Sequence, residues 1–137
     1  MNRDHPAIMR ELAPDFVDKD LQKKTTNRAQ CEVRFKKELA APQPMIQALW
    51  VDRVVVKGDV ADTWQTWTYT DFLTDPRGEK HEANGRDTFR VLFRKTGQGW
   101  QAVCAEQLTT EFMIEGEKVD PKNPFGALKQ RRQRKAR

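Results

Sequence analysis

Serine is absent from the 137-residue chain, so a Ser-His-Asp nucleophile triad is excluded outright. Cysteine occurs only at Cys31 and Cys104, too few for a disulfide scaffold and too far apart for a close-spaced metal motif. A reduced, cytoplasmic setting is the expectation that follows. The two histidines, His5 and His81, show no HExxH spacing, and no dedicated metal site is expected. Gly97 and Gly99 read as hairpin glycines rather than as a phosphate-cradling loop, and no cofactor is expected. No apolar run is long enough for a membrane span, and the opening MNRDHPAIMR lacks the apolar stretch of a signal peptide.

What is present is polar but not core-poor. Charged residues make up 33% and hydrophobic ones 37%, yet four Trp and seven Phe supply enough bulk to bury, so disorder throughout is not expected. The length suits one domain rather than two. The net charge of +5 is unevenly spread. Residues 122–137 hold seven cations and no acid, and setting these aside leaves −2 for residues 1–121. The expected organisation is a single domain over residues 1–118 and a basic, flexible tail over residues 119–137.

Asp4 is placed to cap a short helix from His5 to Leu12, which Pro14 stops. Phe16 to Thr25 reads as a short extended pair around a turn. Asn27 and Gln30 have capping spacing, and Cys31, Phe35 and Leu39 then give a second helix one apolar stripe until Pro42 and Pro44 end it. From there the period changes to two. Strands are predicted at Trp50–Val56, Val60–Phe72, Thr88–Arg94 and Trp100–Thr110, with reversals at Gly58-Asp59, Asp75–Gly78 and Thr96–Gly99. Helix, helix, then a meander implies an α+β architecture with an antiparallel sheet. On the longest strand Trp64, Thr66 and Thr68 alternate with Trp67 and Tyr69. Both faces carry bulk, which favours a partner subunit on one of them over a local bulge.

Three stretches carry a resemblance: VVVKGDVADTW, GRDTFRVLFRKTGQGW and the following QAVCAEQLTT. A valine-rich strand reaches a Gly58-Asp59 turn followed by Ala61; a later strand opens with Arg86 and Thr88; a Gly99-Trp100 reversal leads into the last strand. The order resembles the NTF2-like superfamily, in particular its SnoaL-like small proteins, over Pro14 to Thr110. The resemblance implies a cone-shaped, curved antiparallel sheet packed around helices and enclosing a ligand pocket, commonly assembled as a homodimer through the outer sheet face. It leaves chemistry open, since the superfamily includes isomerases, cyclases, dehydratases, hydrolases and non-catalytic transport or association domains. The first helix is shorter than the family's. The segment Asn123–Gly126, NPFG, is similar to a signature of VirB8-like secretion components.

The function expected is therefore small-molecule binding or association. The alternatives are a SnoaL-like enzyme carrying out acid/base isomerisation, cyclisation or dehydration of a small hydrophobic substrate, and an interaction module using the tail. Glu106 shares a strand face with Ala102, Cys104 and Leu108: lining a cavity it would transfer protons, and at the rim it would pair with Arg86 or Arg90. Asp71 and Tyr69 share a face with Trp67 and Gln65, suited to an Asp base and an oxyanion-stabilising Tyr, or else to solvent exposure. Arg86 and Arg90, facing inward, would hold an anionic ligand; facing outward, they would form an interface. Trp64, Trp67, Arg86, Arg90 and Cys104 are the expected ligand-contacting residues. The partners expected are a second copy of the chain, a small hydrophobic or anionic ligand, and weak nucleic-acid or acidic-protein contact through residues 127–137, with no membrane.

Overall fold

The computed structural model describes residues 5–40 and 45–126. Among these residues the chain runs α1 (His5–Arg10), β1 (Leu12–Lys19), β2 (Thr25–Asn27), α2 (Arg28–Ala40), β3 (Met45–Lys57), β4 (Val60–Thr74), β5 (Lys80–Thr96), β6 (Gly99–Ile114) and β7 (Glu117–Val119). Asp4 and Pro42 to Pro44, cited above as a helix cap and helix stops, lie outside the described residues, as does the basic run 127–137.

Pro14 does not merely end a helix. It sits inside β1, where the β1–β6 register shifts between Leu12 and Val17, as a residue without an N–H must interrupt the ladder. The second helix begins as its spacing requires. The Gln30 amide donates to Asn27 Oδ1 at 2.9 Å and the Asn27 amide donates to Gln30 Oε1 at 3.0 Å, a reciprocal cap of two otherwise unpaired N–H groups. Asn27→Ala is expected to cost about 1 kcal/mol, read as a lower urea midpoint with an unchanged slope. The helix turns Cys31 and Phe35 onto Phe16, Val91 and Ala102, which with Leu12, Phe89, Phe93 and Ala105 form the first core cluster.

The strands form one seven-stranded sheet in the order β2-β1-β6-β5-β4-β3, with β7 paired to the far end of β6. β3 to β6 are an antiparallel meander, whereas β1 lies parallel to β6. The cone-shaped, curved antiparallel sheet expected above is therefore corrected: the sheet is mixed, and it is neither closed nor strongly curled. Closure needs its outermost strands to meet. Among the described residues, β2 has three residues and pairs with β1 alone, while β3 ends the other side on β4. Two short helices, of 6 and 13 residues, accompany this sheet.

β5 starts at Lys80, eight residues before the predicted Thr88. The added stretch KHEANGRD buries His81, Ala83 and Gly85, too small or too polar to show as an apolar alternation. Ala83 joins Phe112, Ile114 and Val119 in a second core cluster, against which Tyr69, Leu73 and Phe125 pack. β7 and Phe125 thus belong to the folded body.

Candidate functional site

The unbroken β4–β5 register from Val60↔Arg94 to Thr74↔Lys80 assigns every side chain to a face. Odd-numbered residues of both strands share the face that carries α2: Thr63, Gln65, Trp67, Tyr69 and Asp71 beside Val91, Phe89, Asp87, Gly85 and Ala83. Even-numbered residues, among them Trp64, Arg86 and Arg90, share the opposite face. On β6, Cys104 pairs with Leu92 and Glu106 with Arg90, which places both on that opposite face. The expected site residues therefore divide. Trp67, Tyr69 and Asp71 are brought together on the helix-bearing face, and Trp64, Arg86, Arg90, Cys104 and Glu106 lie behind it.

On the helix-bearing face, Trp67, Asp87 and Thr110 stand in one row across β4, β5 and β6, and Tyr69, Gly85 and Phe112 in the next. Thr110 Oγ1 donates to Asp87 Oδ1 at 2.6 Å. Burial pushes the Asp87 carboxyl above the ordinary Asp range, and the bond from Thr110 only partly offsets this. The Tyr69 phenol is likewise raised, first by burial and then by the Asp87 charge, and the Thr110 hydroxyl beside it only partly offsets this. Trp67 tilts against Phe89 with ring centroids 5.3 Å apart. Gly85 makes room for this arrangement. A Cβ built there would lie 2.0 Å from Tyr69 Cζ, so the phenol ring lies directly over a backbone that only glycine leaves bare. Beyond Trp67 the face continues onto β3 as Leu49, Val51, Val54 and Val56, which remain 50–57% exposed. Asp71 follows on β4, its Oδ1 accepting the Phe72 amide at 2.8 Å.

The other face is ion-paired. Lys23 bonds Glu106 and holds its carboxyl below the usual range. Arg90 grips Asp62 with two bonds, Nε to Oδ1 at 2.9 Å and Nη2 to Oδ2 at 2.5 Å. The Trp64 ring has the Arg53 guanidinium 5.0 Å and the Arg90 guanidinium 5.2 Å from its centroid, and Arg86 lies 5.6 Å from the Trp50 ring. Cys104 is a free, half-buried thiol.

Sequence reasoning missed Asp87 and Thr110. The signal was available for the first: Phe89, Val91 and Phe93 define the core face of β5, and continuing that alternation back by one step lands on an acid.

No helix among the described residues is long and apolar enough to cross a membrane. No family model and no curated protein matches the sequence. Solved structures do. An NTF2-like protein from Cytophaga hutchinsonii is 10% identical, with a TM-score of 0.57 over 79% of this chain and 84% of that one. A ketosteroid isomerase-like protein from Erwinia carotovora atroseptica is 18% identical, with a TM-score of 0.51 over 78% and 83%. A Xanthomonas campestris protein named for the association domain of calcium/calmodulin-dependent protein kinase II is 24% identical, with a TM-score of 0.50 over 78% and 74%. The likeness is one of fold alone, to solved proteins described as NTF2-like and ketosteroid isomerase-like.

Proposed function

We propose that this chain is a small-molecule-binding domain whose ligand lies on the helix-bearing face, over Trp67, Tyr69, Asp87, Phe89 and Thr110. The observation that carries this reading is Asp87: a half-buried carboxyl raised by desolvation, with a threonine hydroxyl on one oxygen and a tyrosine beside it. A carboxylate held among apolar neighbours destabilises the fold, and such groups cluster where they meet a ligand. The Trp67–Phe89 pair and the exposed β3 valines offer an apolar wall, while three convergent polar groups fix orientation. That combination suits an apolar ligand bearing a carbonyl or hydroxyl oxygen. The likeness to a ketosteroid isomerase-like protein extends the reading to proton transfer, with Asp87 as the base and Tyr69 stabilising the oxyanion.

The test is tryptophan emission during titration with a panel of cyclic ketones and phenols. Quenching that saturates in the wild type and in Trp64→Phe, and disappears in Trp67→Phe, is the expected result. Saturable quenching that survives Trp67→Phe and needs Trp64 would place the ligand on the wrong face.

A second reading, association with another copy of the chain, is favoured by the opposite face, where neither described helix packs and where two arginines approach the Trp64 ring. Tryptophan and arginine dominate the binding energy of protein interfaces. Light scattering is expected to give a dimer mass for the wild type, and a monomer mass for Trp64→Ala. A monomeric wild type contradicts it.

A further inference from the structure

We propose that Asp75, Glu79 and His81 form a binding site for one zinc-type divalent ion, with Glu115 orienting the imidazole. The site is built by the β4–β5 hairpin and is separate from the Asp87 site, so neither proposal rests on the other. The hairpin amides hold Asp75 through its Oδ1 oxygen. Oδ1 accepts the amides of Arg77 at 2.9 Å and Glu79 at 3.0 Å, and the Glu79 carbonyl takes the Asp75 amide at 2.8 Å. Oδ2 lies 2.8 Å from His81 Nε2, and Glu79 Oε2 lies 3.9 Å from the same nitrogen. One donor atom from each of the three residues falls within 4.8 Å of the others.

The imidazole is what distinguishes this group from an ordinary acidic turn. The His81 and Asp75 side chains are each only 6% exposed, and the ring packs against Phe125 with centroids 5.5 Å apart. Its second nitrogen is already committed: Nδ1 lies 3.0 Å from Glu115 Oε1. A carboxylate on one imidazole nitrogen fixes the tautomer that turns the other toward a metal, and this outer-shell pairing accompanies most metal-bound histidines. Without metal, Nε2 keeps a proton against Asp75. The ion takes that proton's place and the proton leaves to solvent, so the His81–Asp75 hydrogen bond is replaced by two bonds to the ion. Metal–ligand bonds of about 2.0–2.2 Å set donors about 3.4 Å apart in a tetrahedron. The His81–Asp75 pair therefore opens by about half an ångström, and the Glu79 arm, 61% exposed, swings inward. One nitrogen and two carboxylate oxygens leave a fourth position for water. Nitrogen in the set selects against magnesium and calcium, which prefer all-oxygen shells.

The test is equilibrium dialysis of the full chain against Zn²⁺, followed by Co²⁺ absorption. One equivalent with micromolar affinity is expected, weakened at least tenfold in Glu79→Ala and in Glu115→Gln. Glu79 is mostly exposed, so this variant tests the site without opening the core, and His81→Asn supplies a second. The Co²⁺ spectrum is expected to lack thiolate charge-transfer bands. Binding only at millimolar metal, equal binding in Glu79→Ala, or bands that vanish when Cys31 and Cys104 are replaced would each overturn the proposal.

Discussion

Replacing Asp87 with asparagine is expected to raise the melting temperature at pH 8 by about 3 °C, the shift that roughly 1 kcal/mol gives in a domain of this size. Asparagine keeps the oxygen that accepts from Thr110 and discards the charge that burial opposes. The half-buried carboxyl remains partly screened by water, which holds the effect to this order. The sign follows from linkage. The folded-state pKa of Asp87 lies above its unfolded value, so the folded chain binds the proton more tightly. Stability from this group is fully present below the unfolded pKa and is lost as pH rises through the folded one. Asp15, Asp62, Asp75 and Glu106 run the other way, lowered by Arg94, Arg90, His81 and Lys23 respectively, and lose their contribution as pH falls. The informative quantity is therefore the difference between variant and wild type across pH 3–8. It is expected to vanish at the acid end and grow toward pH 8. A difference independent of pH, or an asparagine variant less stable at pH 8, would show that desolvation does not govern Asp87.

Gly85→Ala is expected to destabilise the protein by about 3 kcal/mol, at the upper end of what overpacking one methyl costs. The new Cβ would fall 2.0 Å from Tyr69 Cζ and 2.4 Å from Cε2 and the hydroxyl oxygen. The ring has no short route away, because it also packs on the cluster of Ala83, Phe112, Ile114 and Val119. In a Tyr69→Ala background the same substitution is expected to cost less than about 1 kcal/mol, since the colliding ring has gone. Chemical denaturation of the four chains closes this cycle. Additive losses would mean that the ring does not occupy the space over Gly85. The same displacement moves the phenol from Thr110 and Asp87, so Gly85→Ala is expected to weaken ligand binding even at temperatures where it stays folded.

The elements were legible where side-chain period and capping chemistry act locally. Asn27 and Gln30 announced the start of α2, and alternating Trp, Thr and Phe announced β4 and the core half of β5. The polar half of β5 was not legible, because His81 is buried by its carboxylate partners and Gly85 by a tyrosine sixteen positions away in sequence. The direction of β1 was hidden for a related reason: nothing in LAPDFVDK distinguishes parallel from antiparallel pairing with β6. Strand pairing and sheet closure are decided by contacts distant in sequence, which is why most strand positions showed through while the sheet's shape did not. For the site, Tyr69 and Trp67 were read correctly as sharing a face, but the grouping with Asp87 and Thr110 required three strands in known register.

The ligand's place on the helix-bearing face is tested most directly by amide and indole chemical-shift mapping of the wild-type chain on titration with a cyclic ketone. Saturable shifts are expected at the Trp67 indole, Tyr69, Asp87, Phe89 and Thr110, with Trp64, Arg90 and Glu106 unmoved. Saturable shifts confined to Trp64, Arg90 and their neighbours would contradict it.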